Sequence, residues 1–273
     1  MRTSRTIERA LTPNRMRDRR GIAFSLIACL LLIALLPVAY AAKRERASKP
    51  VASVLYFTYS AGYKHEVVPE SESVLTKLGE DSGRFRVTVS HDPAVLDAKQ
   101  LAAYDAVVFY TTGELPISDQ QKRDLLAFVE GGKGFVGIHS ASDTFYQWPQ
   151  YGRMLGGYFD EHPWNEDITV KVEDRKHPAT RGLGASFVIA DEIYQFKDWS
   201  RKDVHVLLSL DTASVDMTHP KIHRKDGDFA LAWTRAQGKG RVFYSALGHR
   251  PEVWRDPRFQ SFLLGGLQWV LRE

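Results

Sequence analysis

The sequence predicts an α/β domain: a mostly parallel sheet flanked by helices, with an antiparallel extension in the second half. Three observations predict it. Strand-like and helix-like segments alternate from residue 53 to residue 155, the order expected of parallel βα units. Residues 106–111 (AVVFYT) are apolar or small throughout, as in a strand covered by helices on both faces. Beyond residue 167, strand-like runs follow one another with no helical pattern between them until the C-terminus, which favours antiparallel pairing.

The elements follow in order. Residues 53–59 (SVLYFTY) are β-branched and aromatic and precede a glycine, so they read as the first strand. A loop from Ser60 to His65 leads to a helix over about 66–81, where Val67, Val74, Leu75 and Leu78 keep part of the helical spacing. Residues 85–90 form a second strand, 96–101 a short helix and 106–111 the third strand. The next helix spans about 118–131, opened by Ser118 with Gln121 three residues on, the pattern of a capping box. The stretch Gly134 to Asp143 (GFVGIHSASD) is the centre of the chain. Phe135, Val136 and Ile138 make a short buried strand, and Gly137 is expected to admit a close neighbouring backbone. The strand stops abruptly in His139, Ser140, Ser142 and Asp143, and ligands bind beyond the carboxyl ends of such strands. Residues 148–155 read as a helix ended by Gly156 and Gly157. Residues 159–167 read as a polar loop, followed by strands at 168–173, 187–190, 204–210, 229–234 and 242–246. The last helix covers about 258–271, with Phe259, Phe262, Leu263 and Val270 facing inward.

The charge distribution excludes a main role in nucleic-acid binding. The net charge of the 273 residues is +4, but residues 1–41 contribute +5 and residues 42–273 about −1, so no basic footprint remains on the folded part. Residues 1–41 have the layout of a signal peptide, or of an anchor if uncleaved. Arg2 to Arg20 are basic, Leu26 to Leu36 are continuously apolar, and Ala39-Tyr40-Ala41 is a small-x-small cleavage pattern. Residues 42–50 are a charged linker and 51–273 the domain. The expected location is therefore the periplasm or the exterior, with membrane contact only through an uncleaved leader. Cys29 is the only cysteine, which leaves the domain without a disulfide or a thiol nucleophile.

The candidate site residues come from several loops. His139 ends the central strand. His65 follows the first strand beside Tyr59, Gly62 and Tyr63. His162-Pro163-Trp164-Asn165 combines hydrogen-bonding groups with an indole face suited to a sugar ring. Asp191-Glu192-Ile193-Tyr194 follows a short strand, and His249 follows the last one after Gly248. Imidazoles and a carboxylate suit a divalent transition metal such as zinc, manganese or iron. They equally suit metal-free acid–base chemistry, because histidine titrates near neutrality. As a metal site the set is His139, His162, Glu192 and His249. A serine-hydrolase reading finds no G-x-S-x-G turn around Ser140 or Ser142. A glycosidase carboxylate pair is also missing, since adjacent Asp191 and Glu192 point apart on extended backbone.

The strings GFVGIHSASDTF, FDEHPWN, ADEIYQF and GKGRVFYSALGH resemble the trehalose-utilisation (ThuA-like) family, and the likeness covers about residues 53–271. The resemblance implies a flavodoxin-like fold of the class I glutamine amidotransferase type. In those amidotransferases a Gly-Ile-Cys turn carries the nucleophile, whereas here Gly137-Ile138 precedes His139, so thiol-based glutaminase chemistry is excluded. The resemblance further implies a small saccharide as partner, a disaccharide or its 3-keto derivative. His139, His249 and Glu192 are then the expected catalytic groups. His65, His162, Trp164, Asn165 and Tyr194 are the expected substrate-binding ones, with Trp164 and Tyr194 as the ring platform. The alternative is a non-catalytic saccharide-binding or scaffold domain. Oligomeric state is open.

Overall fold

The computed structural model describes residues 51–273; the expected leader and linker lie outside the described residues. A nine-stranded sheet runs through the domain in the order β2-β1-β3-β4-β9-β8-β7-β5-β6. The parallel half consists of β1 (Ala52–Ser60), β2 (Phe85–Ser90), β3 (Ala106–Thr112), β4 (Gly134–Ile138) and β9 (Gly240–Ser245). The antiparallel half consists of β5 (Tyr158–Val172), β6 (Ser186–Lys197), β7 (His205–Leu210) and β8 (Ala230–Gln237), joined to β9 through β8. The expected α/β class, parallel half and antiparallel extension are thus observed.

Both faces of β1, β3, β4 and β9 are covered, and only the edge strand β2 is largely open. Val54 and Tyr56 of β1 pack into one core and Leu55 and Phe57 into the other, as the two-residue period of a strand requires. The first core is closed by α1 (Val68–Ser82) and by the C-terminal helix, which contribute Leu75, Phe262 and Leu263. A short helix α2 (Ala98–Leu101) follows β2. The second core is closed by α3 (Asp119–Glu130) and α4 (Pro149–Leu155), through Leu125, Val129, Tyr151 and Leu155. Each such fully buried side chain contributes about 1.5–3 kcal/mol. Ser118 caps α3 as expected, its Oγ accepting from Gln121 N at 3.2 Å while Gln121 Oε1 accepts from Ser118 N at 3.0 Å. After β9 come α5 (Pro251–Arg255), which the sequence pattern did not predict, and α6 (Pro257–Val270).

Three expectations are corrected. Residues 159–167 are not a loop but the first half of β5. They pair with the second half of β6, in register from Trp164↔Ile193 to Lys171↔Ser186 and irregularly before that. The irregularities on either side of Glu161 absorb Pro163, which has no N–H for a ladder. Asp191-Glu192 likewise lies inside β6 rather than in a turn after it. β5 meets β7 only over Val170 to Val172, so the rest of the β5–β6 ribbon continues past its sheet neighbour. At Gly137 the expected close backbone is replaced by side chains. A Cβ there would lie 2.7 Å from Leu155 Cδ1 and 3.0 Å from Tyr244 Cδ2.

No helix among the described residues is long and apolar enough to cross a membrane.

Candidate functional site

Because β1, β4 and β9 run parallel, the loops that leave their carboxyl ends emerge at one edge of the sheet. Those loops supply His65, His139 and His249, and the β5–β6 ribbon supplies Glu192. One donor atom from each of these four residues lies within 4.8 Å of the other three. Three of the four residues are buried and His249 is half-buried.

His139 takes a left-handed backbone, φ 46°, a conformation uncommon outside glycine. It converts the end of β4 directly into a turn of 3-10 helix (His139–Ser142) and swings the ring back over the sheet edge. Ser142 Oγ lies 2.8 Å from Tyr244 Oη, and Tyr244 Oη also donates to the His139 carbonyl at 2.7 Å. The imidazole Nδ1 is 2.7 Å from the carbonyl oxygen of Ala246. A carbonyl only accepts, so Nδ1 carries a proton and donates it. The other ring nitrogen, Nε2, faces the Tyr194 hydroxyl at 2.9 Å, His249 Nδ1 at 3.2 Å and Glu192 Oε2 at 3.5 Å.

Glu192 bridges the group: its Oε2 is 3.3 Å from His249 Nδ1, and its Oε1 is 3.6 Å from His162 Nδ1. Burial would push the Glu192 carboxyl up, but the hydrogen bonds and charges of His139 and His249 outweigh it and hold the group well below the usual carboxylate range. For His249, burial acts downward and the Glu192 contact wins, so its pKa is raised. His65 is lowered to about 3, by burial first and then by the neighbouring His139 and His249. Its Nδ1 is buried and has no hydrogen-bond partner among the described residues.

Asp191, one residue before Glu192, points the opposite way and is fully buried. Its carboxylate accepts from the backbone N–H of Gly248 at 2.7 Å and of His249 and Arg250 at 3.1 Å each. These three bonds fix the loop that carries His249. Burial nevertheless pushes the Asp191 carboxyl up, in spite of the His139 ring and the N–H donors. Its place was foreshadowed only by the alternation rule: beside an inward Glu192, an extended chain turns Asp191 to the other face.

The structure rearranges the expected set. His65, His139, Glu192 and His249 come together. His162 stands outside them, its side chain more than a third exposed, so the expected metal quartet loses His162 and takes His65. Trp164 is 2 % exposed, its ring edge-to-face with Phe229 at 5.1 Å and its Nε1 donating to Asp216 O at 3.0 Å. It offers no open face to a sugar, because bulged pairing turns it into the core. Tyr194 is 3 % exposed, wedged between His139 and Phe159, so it acts through its hydroxyl and not as a platform. Asn165 Oδ1 accepts from Arg250 Nε at 3.0 Å, a contact at the rim. The exposed aromatic ring at the mouth is Tyr63, edge-on to His65 at 4.8 Å. A cavity of about 210 Å³ opens there, lined by Tyr63, His65, Asn165, His249 and Arg250 among others.

The four inner residues fit a divalent transition metal. Donor atoms on such an ion stand roughly 3–4 Å apart at metal–ligand distances near 2.1 Å, close to the present spacing. Imidazole and carboxylate are suitable donors. The His139 Nδ1–H to Ala246 bond is the outer support that metal-ligating histidines use, and the orphaned Nδ1 of His65 has the unmet need a ligand would satisfy.

Residues 53–270 match the family described as trehalose utilisation. Among solved structures, a ThuA-like protein from Bacteroides uniformis is similar at a TM-score of 0.69 and 27% identity, over 83% of this chain and 94% of that one. A ThuA-like protein from Parabacteroides merdae reaches 0.63 at 20% identity, over 81% and 90%. A β-galactosidase from Rahnella sp. R3 shares the fold alone, at 0.50 and 14% identity over 81% of this chain and 31% of that one. No curated protein matches the chain.

Proposed function

The chain belongs to the trehalose-utilisation family, a carbohydrate-related family, and from that premise we propose an exported enzyme that does acid–base chemistry on a keto-disaccharide or glycoside. The observation that carries the reading is the convergence of His65, His139, Glu192 and His249 at the carboxyl edge of the sheet. These four residues would hold one divalent cation. When bound, the cation would polarise a substrate carbonyl and stabilise the oxyanion that develops from it.

The chain's own groups then divide the work. Tyr63 offers the exposed ring against which a sugar can lie, and Asn165 and Arg250 give hydrogen bonds at the rim. His162, held between Glu161 Oε1 and Glu192 Oε1 at 3.6 Å each, is the base. It takes the proton from the carbon next to the carbonyl, and the C–H electron pair becomes the enolate double bond. In a 3-keto glycoside that pair then expels the glycosidic oxygen from the neighbouring carbon, and the departing alkoxide takes up the proton that His162 holds. This assignment moves the base from His139 or His249, which the cation would occupy, to the partly exposed imidazole next to the cluster.

Export is part of the same proposal, supported by the basic, then apolar, then small-residue order of residues 1–41. Trp164 and Tyr194, the ring platform expected of a purely sugar-binding domain, are buried and lend that reading no support.

The test is metal analysis of the purified protein beside turnover of a 3-keto disaccharide. Near-stoichiometric metal is expected in the wild type and in His162→Gln, and none in His139→Ala. Turnover should be lost in both variants. A wild type that takes up no divalent metal would sink the cation site, and full turnover by His162→Gln would sink the base.

A further inference from the structure

The domain has a second cavity, of about 470 Å³, at the opposite edge of the sheet. Its wall includes His177, Lys202, His205, Arg235, Arg241 and Trp269. Arg241 stands at the amino end of β9, whereas the histidine cluster lies beyond its carboxyl end, so the length of the strand separates the two.

Two buried N–H groups in this wall have no partner among the described residues: Nε of Arg235 and Nε2 of His177. The His177 atom is a donor, because Nδ1 of the same ring accepts from Ala179 N at 3.2 Å, which leaves the proton on Nε2. Native proteins pair nearly all buried donors, so two in one cavity call for an acceptor. The charge agrees. Lys202, Arg235 and Arg241 face a single lining carboxylate, Asp203, while His205 is engaged outward with Asp174 at 2.9 Å. Burial lowers the pKa of Arg235 in spite of Asp203, and burial together with the neighbouring Arg272 lowers that of Arg241.

Trp269 adds an apolar surface. The Arg241 guanidinium lies 4.9 Å above its ring centre and donates from Nη1 to the Trp269 carbonyl at 2.7 Å, so one cation is held in place beside the indole. A bare oxyanion, a few times the roughly 30 Å³ of a water molecule, leaves most of the cavity unfilled. We propose that this cavity is a second ligand site, which takes a sugar-sized organic oxyanion, its charged group on the Arg235, Arg241 and His177 N–H donors and its body against Trp269. The site is independent of the acid–base site at the other edge.

Isothermal titration of the full chain at low salt tests it, with glucose 6-phosphate and glucuronate as probes and with glucose and inorganic phosphate as controls. One of the two organic anions should bind with a Kd at or below about 1 mM, weakening as salt is added. Whichever is preferred tells a tetrahedral oxyanion from a planar one. Arg241→Gln and Lys202→Met should each weaken binding by about fivefold or more. Lys202 is exposed, so its variant tests the site even if Arg241→Gln unfolds. Removal of the distant His139 by His139→Ala should leave binding within about twofold. The proposal is overturned if neither anion binds, if glucose or inorganic phosphate binds as tightly, if both cation variants are silent, or if His139→Ala abolishes binding.

Discussion

Asp191 and Glu192, neighbours in sequence, serve the site from opposite faces of one strand. Asp191 accepts three backbone N–H bonds from Gly248, His249 and Arg250, while Glu192 reaches His139, His162 and His249. One carboxylate holds the loop and the other meets the imidazoles.

Replacing Asp191 by Ala therefore strands three N–H groups, that of Gly248 buried and those of His249 and Arg250 half-buried. The expected destabilisation is about 3–5 kcal/mol, with loss of metal uptake because His249 is no longer fixed. Urea unfolding and metal analysis check it. Asp191 is a positioning residue, so metal uptake that survived in a folded variant would refute that role.

His139→Gln separates chemistry from packing. Glutamine can still donate to Ala246 O and so is expected to cost at most about 1–2 kcal/mol. It lacks the imidazole nitrogen, and turnover should fall to background. Retained turnover would remove His139 from the site.

A methyl at Gly137 would collide with Leu155 and Tyr244, which are both fully buried. Gly137→Ala should cost about 1–3 kcal/mol. Paired with Leu155→Ala, the same substitution should cost less than the two single changes added together. Additive costs in thermal or urea unfolding would argue against the contact.

His177 gives the chain a pH-dependent stability. Burial, opposed by Asp174 and aided by His205 and Arg241, lowers its pKa to about 4. Protonating Nδ1 would also break the bond from Ala179 N. The unfolded chain, with an ordinary value near 6.5, binds more protons than the folded one between those limits. Stability from this group is thus complete above about pH 6.5 and declines as the pH falls toward 4. Discounted for partial solvent contact, the loss is about 1–2 kcal/mol. His177→Gln should flatten the difference between unfolding curves at pH 7.5 and pH 4.5 by that amount. An unchanged difference would refute the assignment.

Much of this was legible in the chain. The apolar run of β3, the abrupt end of β4 at His139, the capping box at Ser118 and the confinement of surplus charge to residues 1–41 are written within a few residues of one another. So is the separation of Asp191 from Glu192, which follows from strand alternation. Local propensity and periodicity determine such features, and the sequence alone determined them.

The tertiary structure decided which of the candidates meet. Residues 159–167 looked like a loop because their polar side chains lie on a ribbon whose hydrogen bonds go to β6, some thirty residues away. Trp164 looked like a platform, but the irregular pairing around Glu161 turns it inward and leaves His162 outside. His65 carried the weakest local signal and sits among the four inner residues. In a strand the side-chain period is two, so a register shift of one residue exchanges the inner and outer faces. That register is set by contacts between distant segments, and no local pattern in the sequence records it.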